Sequence, residues 1–236
     1  MKNQPAWMPL SLVALTFAAG TAAAQNNTPP PGAETAAVRE LIDRAGAALA
    51  RGRSPGDLLA DPVFVPAHEW PRFRELIRER GRGSELTIVT PAEPGPRLEV
   101  NARIVDGAGK PVAEAEVYVY QTSAEGWYSD RAPHYAGMEG DRRHARLFGY
   151  LRTGADGRFR LYTVRPSGYP GSGLPAHIHV EIRAGEKAVI TEILFDNAPR
   201  LPAEARERWL REGFVIAPVA TAADGSQRVE VELRLR

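Results

Sequence analysis

Two of the chain's five histidines, His177 and His179, stand one residue apart in the stretch GYPGSGLPAHIHVEI, which runs from Gly168 to Ile182. On a β-strand the side chains at i and i+2 project from one face. Two imidazoles placed directly after a Gly/Pro-rich loop therefore converge on one point, an arrangement that suits a metal ion. In an arbitrary chain an isolated H-x-H is more often a pair of solvent-facing strand residues. The meaning of the pair thus depends on what else can reach it.

A cupin opens its first motif as G-x5-H-x-H, and Gly171 to His179 fits that opening. A cupin then requires a glutamate shortly afterwards and a later histidine. Glu181 and Glu186 are misplaced for this and no histidine follows His179, so the cupin reading fails. A three-histidine zinc site would have to draw on His68, His134 or His144, and nothing in the spacing selects one. The other ligand type nearby is tyrosine. Tyr169 sits in the loop feeding the histidine segment, and Tyr128 follows the strand-like EVYVYQ in SAEGWYSD. A phenol with a pKa of about 10 binds as phenolate at neutral pH only to a strong, hard Lewis acid. Ferric iron meets that need, whereas zinc or copper more usually takes histidine or thiolate. Taken singly, each tyrosine is an ordinary core or rim aromatic.

The 236 residues are 43% hydrophobic and 25% charged, an ordinary globular composition. Thirty Lys+Arg against 29 Asp+Glu leave a formal charge of +1, which recruits neither nucleic acid nor an anionic membrane. With no cysteine, disulfides, thiolate metal sites and cysteine nucleophiles are excluded. At the N-terminus, Lys2, the apolar MPLSLVALTFAAG and the small residues Ala22 to Ala24 read as a signal peptide over 1–24, cleaved before Gln25. The apolar stretch is short for a membrane span. The expectation is therefore export to the periplasm or beyond, with no membrane span after cleavage. QNNTPPPG opens a stretch over 25–33 that reads as a disordered linker.

The elements that must position the histidines and tyrosines fall into two parts. Residues 34–94 form a helical segment. Val38, Leu41, Ile42, Ala45 and Leu49 give one helix between Glu34 and Arg51, SPGD breaks it, and a second helix covers Trp70 to Arg80. PAEPGP marks a boundary near residue 95, after which the period changes to two. Leu98, Val100, Ala102 and Ile104 alternate, DGAGKP is a turn, and Asp156-Gly157 signals a hairpin within YLRTGADGRFRLYTV. AHIHVEIR, KAVITEILF, GFVIAPV and RVEVELRLR follow as strands, interrupted by a short helix from Ala203 to Arg211. The expected fold is mainly β, an antiparallel β-sandwich over 95–236 with a short N-terminal helical segment.

In sum, GKPVAEAEVYVYQTSAEGWYSD, FGYLRTGADGRFRLYTVRPSGYP and PAHIHVEI resemble the intradiol ring-cleavage dioxygenases, the catechol and protocatechuate group, from about Leu98 to Phe195. The ordered series of a tyrosine, R-P-x-x-Y-P and P-A-H-I-H is far more specific than H-x-H. The resemblance implies that Tyr128, Tyr169, His177 and His179 ligate a non-haem ferric ion, Fe(3+). It also implies that Tyr169 and His179 are the axial pair, with Tyr128, His177 and hydroxide equatorial. The implied reaction opens a catechol between its two hydroxylated carbons and incorporates both atoms of O2. Tyr169 would also act as a base that leaves the metal, and Arg165, in TVRP, would be a catalytic cation. Arg152 and Arg143 are weaker candidates for the same role.

One departure stands out. The family usually places arginine immediately before the proline of P-x-H-I-H, and this chain has Leu174 there. That difference bears on substrate and turnover more than on metal binding. A rival reading is a transthyretin-like or carboxypeptidase-regulatory-like sandwich module that binds without catalysis. It accommodates VNARIVDGAGKPVAEAEVYVY and TGADGRFRL but gives no reason for the four ligand-type residues together. A third keeps the iron and loses the reaction. The N-terminal helices occupy the position of a dimer contact in catechol-type relatives, so a homo-oligomer is an expectation of the resemblance.

Overall fold

A computed structural model describes residues 34–129, 145–171, 173–199, 201 and 203–235. The signal peptide and linker expected over 1–33 lie outside the described residues, as do His134, Arg143 and His144.

The helical segment begins with α1 (Ala36–Ala50), whose N-cap Thr35 accepts a hydrogen bond from the Val38 amide. The helix stops just before SPGD, where Gly52 takes a φ of 93° and the Arg53 amide bonds back to the Ala48 carbonyl at 3.1 Å, and SPGD starts the next helix rather than breaking the first. Ser54 and Asp57 form a reciprocal capping box on α2 (Pro55–Leu59), a short helix where only a break is expected from the sequence. A 3-10 turn (Pro62–Ala67) leads to α3 (Pro71–Arg80), which starts on a proline that needs no amide partner there. Ile42, Phe73 and Ile77 from these helices belong to the same buried cluster as the strand residues Val100, Phe148 and Ile178.

Among the described residues ten strands make two five-stranded sheets. The first, in the order β1-β5-β2-β10-β9, contains β1 (Glu85–Thr87), β2 (Arg97–Val105), β5 (Arg158–Val164), β9 (Val219–Thr221) and β10 (Gln227–Arg234). The second, in the order β4-β3-β6-β7-β8, contains β3 (Glu116–Gln121), β4 (Leu147–Arg152), β6 (His177–Ala184), β7 (Lys187–Phe195) and β8 (Val215–Ala217). Helix α4 (Ala203–Arg211) lies between β7 and β8 in the chain. Gln121 ties the sheets together across the core: its Nε2 donates to the Val164 carbonyl at 2.9 Å and its Oε1 accepts from Thr163 at 3.1 Å. Both partners are buried, where an unmade bond would be costly.

The sheets are mixed rather than antiparallel. β1 with β5, β2 with β10, and β7 with β8 are parallel pairs. The cause is that the chain crosses between sheets at turns that resemble hairpins. Asp156-Gly157 makes a tight turn, with the Gly157 amide on the Gly154 carbonyl at 2.9 Å, yet β4 and β5 belong to different sheets. Gly157 docks against β2 instead: its carbonyl accepts from Ile104 at 2.8 Å, and a Cβ there would stand 2.6 Å from the Ile104 carbonyl oxygen. GFVIAPV is likewise two strands. Pro218, with no amide to continue a ladder, separates β8 in one sheet from β9 in the other. β1 falls within the span read as helical and joins β5 over three residues.

Candidate metal centre

His177 and His179 lie at the start of β6, the central strand of its sheet, between β3 and β7. Register places His179 between Tyr120 on β3 and Glu192 on β7. Both imidazoles turn the same nitrogen inward, and their Nε2 atoms are 3.0 Å apart. Their outer nitrogens are tethered. His177 Nδ1 is 2.8 Å from the Pro175 carbonyl, which only accepts, so Nδ1 carries the proton and Nε2 keeps its lone pair. His179 Nδ1 lies 3.3 Å from Glu192 Oε1, an arrangement with the same consequence.

The two tyrosines close on those lone pairs from separate loops. Tyr128 Oη is 2.8 Å from His179 Nε2 and 2.5 Å from Tyr169 Oη. Tyr169 Oη is 3.0 Å from His177 Nε2 and 3.5 Å from His179 Nε2. Two ligands about 2.0–2.1 Å from a common ion and at right angles stand roughly 2.9 Å apart, and the four atoms are spaced on that scale. Two nitrogen lone pairs facing each other attract a cation, and two phenols that lose their protons add the negative charge to hold a trivalent one. The donor set and spacing therefore fit ferric iron. Tyr128 and His177 are buried, while Tyr169 and His179 are partly exposed and form the accessible side of the cluster.

Several residues that the sequence did not single out hold this arrangement. Tyr120 stacks face to face on the His179 ring, with centroids 4.3 Å apart and planes within 7°. Glu192 groups with the two histidines as a further metal-ligand type. Because it meets His179 on Nδ1, away from the phenols, it is placed to orient that ring rather than to join the four converging atoms. Burial pushes its carboxyl pKa up. Its signal was available: a glutamate within the apolar ITEILF, paired in register with a histidine.

The helical segment buttresses Tyr128. Ser129 donates to Glu69 at 2.7 Å, and the Arg146 amide donates to the Tyr128 carbonyl at 2.7 Å. Arg146 makes a two-pronged ion pair with Glu93 at 2.6 and 2.8 Å, largely buried. Removing one partner of such a pair costs about 3–5 kcal/mol, because it strands the other charge. Arg74 on α3 donates to the Ala145 carbonyl at 2.8 Å and lies 3.7 Å from the centre of the Phe148 ring.

The other candidates are not brought into the cluster. His68 is buried beside Phe73 and Phe148, with Nδ1 on the Arg146 carbonyl at 3.2 Å. Burial pushes its pKa down to about 3. Arg165 directs its guanidinium to Asn197 at 2.8 Å and Gln227 at 3.2 Å, over the Phe195 ring. Burial lowers its pKa to about 10. Arg152 pairs with Glu116 across β3 and β4. Glu186 lies exposed in the turn joining β6 to β7.

Comparison with known proteins agrees with this architecture. A family profile described as Dioxygenase matches residues 69–236, well over half of the chain. The protocatechuate 3,4-dioxygenase beta chain of Burkholderia cepacia is 31% identical over 133 residues, covering 49% of this chain and 55% of that protein. A hydroxyquinol 1,2-dioxygenase from a Rhizobium strain is 30% identical over 185 residues, 71% of this chain and 56% of that one. The chain thus spans about half the length of these curated relatives. The crystal structure of catechol 1,2-dioxygenase from Pseudomonas arvilla shares the fold, with a TM-score of 0.51 at 22% identity over 65% of this chain and 56% of that one. On the profile match, the relatives and the ordered tyrosine–histidine series together, the chain belongs to the intradiol ring-cleavage dioxygenase family.

Proposed function

We propose that this protein is a non-haem ferric dioxygenase that uses O2 to open catechol-type rings between the two hydroxylated carbons. The observation that carries the proposal is the convergence of four side chains from three segments, with both histidine Nε2 atoms freed by tethered Nδ1 atoms. A sandwich module built only for binding needs no such convergence. Overall the ring C–C bond breaks, both oxygen atoms enter the product, and a cis,cis-muconate-type diacid results.

Tyr128, Tyr169, His177 and His179 would hold the ion. Bound there, ferric iron supplies a Lewis acid and template for a catecholate and O2. His177 and His179 are fixed by the β6 backbone and by Pro175 and Glu192, so they stay in place. Tyr128 is buried and its backbone is bonded to Arg146, so it stays too. Tyr169 is partly exposed and loop-borne, which suits a side chain that swings out and accepts a substrate hydroxyl proton at its phenolate oxygen. Tyr120 and Glu192 keep the His179 ring from turning.

Arg165 precedes Tyr169 by four residues and is anchored to Asn197 and Gln227. Its role in this reading is to position the Tyr169 loop rather than to touch substrate. Leu174 puts a partly exposed apolar side chain where the family usually has a cation, which in this reading favours uncharged catechols over carboxylated ones. Among the described residues no helix is long and apolar enough to cross a membrane. Export with cleavage before Gln25 belongs to the same proposal.

The test is O2 uptake by iron-loaded protein with catechol as substrate. Equimolar consumption of O2 and catechol, with appearance of the ring-opened diacid, is expected. Iron-replete protein that consumes no O2 with catechol, hydroxyquinol or protocatechuate would end the catalytic reading.

A further inference from the structure

The loops that deliver Tyr128, Tyr169 and His177 are layered main chain on main chain. A Cβ at Gly126 would stand 2.5 Å from the Gly168 carbonyl oxygen and 2.9 Å from Pro170 Cδ. A Cβ at Gly168 would overlap the Leu174 carbonyl oxygen and stand 3.4 Å from the Pro175 carbonyl carbon. Real Cβ atoms essentially never come within 3.0 Å of another atom, as these would of the Gly168 and Leu174 carbonyl oxygens and of Pro170 Cδ. Each layer sits one to three residues from a ligand-type side chain: Gly126 from Tyr128, Gly168 from Tyr169, and Leu174 from His177. The same loops are stapled by the Thr122 hydroxyl on the Ser167 carbonyl at 2.7 Å and the Ser167 amide on the Ser123 carbonyl at 3.1 Å.

We infer that Gly168 is a positioning residue for the centre: the missing Cβ lets three backbone segments from two loops stack and so fixes Tyr128, Tyr169 and His177 relative to one another. Gly168 is not among the residues with positive φ, so alanine suits its backbone conformation and the objection to a side chain is steric alone. A methyl group there must push the Leu174–Pro175 segment away. The Pro175 carbonyl is the acceptor that orients His177, so the displacement reaches the imidazole directly. It also moves Tyr169, the adjacent residue. The spacing of the centre is on this view a property of backbone packing, a feature that no ligand motif records.

The inference rests on the metal-centre reading, and two readouts keep the two separable. In metal-free protein, the 2.5 Å contact between the Tyr128 and Tyr169 hydroxyls should give a downfield hydroxyl proton resonance. In iron-loaded protein, the readouts are ferric affinity and the phenolate-to-iron visible band. Gly168→Ala should lose the resonance, shift the band and weaken ferric binding at least tenfold. Gly173→Ala, with open space around its Cβ and no positive φ, should change none of these. Gly149→Ala, whose Cβ would overlap Leu86 Cδ2 within the core, should lower the melting temperature and leave resonance and band intact. If Gly168→Ala does not fold, Thr122→Val serves in its place: it removes the hydroxyl staple on the Ser167 carbonyl without touching a ligand-type residue, and should shift the resonance and the band in the same way.

A folded Gly168→Ala with wild-type resonance, band and affinity would overturn the inference. So would a Gly149→Ala that loses them equally. Wild-type protein that shows the resonance but binds no ferric ion would remove the metal reading while leaving the layering tested by the resonance.

Discussion

His68 should make the protein acid-sensitive in a way that can be isolated. Its imidazole is buried beside Phe73 and Phe148. Its pKa falls from 6.5 to about 3, first through burial, with the Arg146 and Arg74 charges adding to the effect. The folded pKa is depressed, so between these values the unfolded chain binds a proton that the folded chain refuses. Stability is full above about pH 6.5 and falls as the pH drops towards 3. The slope approaches ~1.4 kcal/mol per pH unit, so at pH 4.5 the loss is roughly 2.7 kcal/mol. That is a large share of the about 5–15 kcal/mol that holds a typical domain. In urea it corresponds to a midpoint shift of roughly 1 M. Because His68 holds Arg146, whose amide holds Tyr128, loosening here reaches the candidate centre. The assay is urea unfolding of wild type and His68→Asn at pH 7 and 4.5. His68→Asn should be less stable at pH 7, with a visibly flatter pH dependence. Carboxylate titrations are common to both proteins and cancel in the difference. Parallel pH dependences for the two proteins would refute the reasoning.

Tyr169→Phe should still bind iron through three side chains but form the chelated catecholate more slowly in anaerobic stopped-flow, by on the order of tenfold or more. Wild-type chelation rates in that variant would remove the displaced-base role. Leu174→Arg should raise turnover of protocatechuate relative to catechol, and a wild-type enzyme that already clearly prefers protocatechuate would contradict the apolar-wall reading. Protein recovered from an exporting host should have an intact mass corresponding to a chain that begins at or close to Gln25, whereas retained Met1 would count against export processing.

How much of this the sequence carried depends on whether the cause was local. Alternation in LEVNARIV predicted β2, and its inward residues Leu98, Val100, Ala102 and Ile104 are all buried. Helical spacing found α1, α3 and α4 within a residue or two. Tyr128, Tyr169, His177 and His179, the set the resemblance implied, converge in space, and their role as ligands is the proposal. Sheet membership was not legible. Asp156-Gly157 specifies a turn, but whether the next strand pairs with the last or crosses the core depends on where Gly157 docks. β1 is too short for a periodic signal and exists because β5 offers an edge. The roles of Tyr120 and Glu192 appear only when register sets them on either side of His179. His68 meets the same limit, since a buried neutral imidazole and a zinc-ligating one look alike in a sequence.

One measurement bears most directly on the four-residue centre: iron content together with the visible spectrum of purified wild-type protein, beside Tyr128→Phe. About one ferric ion per chain and a reddish colour from phenolate-to-iron charge transfer are expected for wild type. The band should be weakened or shifted in a folded Tyr128→Phe. A colourless wild-type protein that takes up zinc through histidines, indifferent to loss of Tyr128, would contradict it.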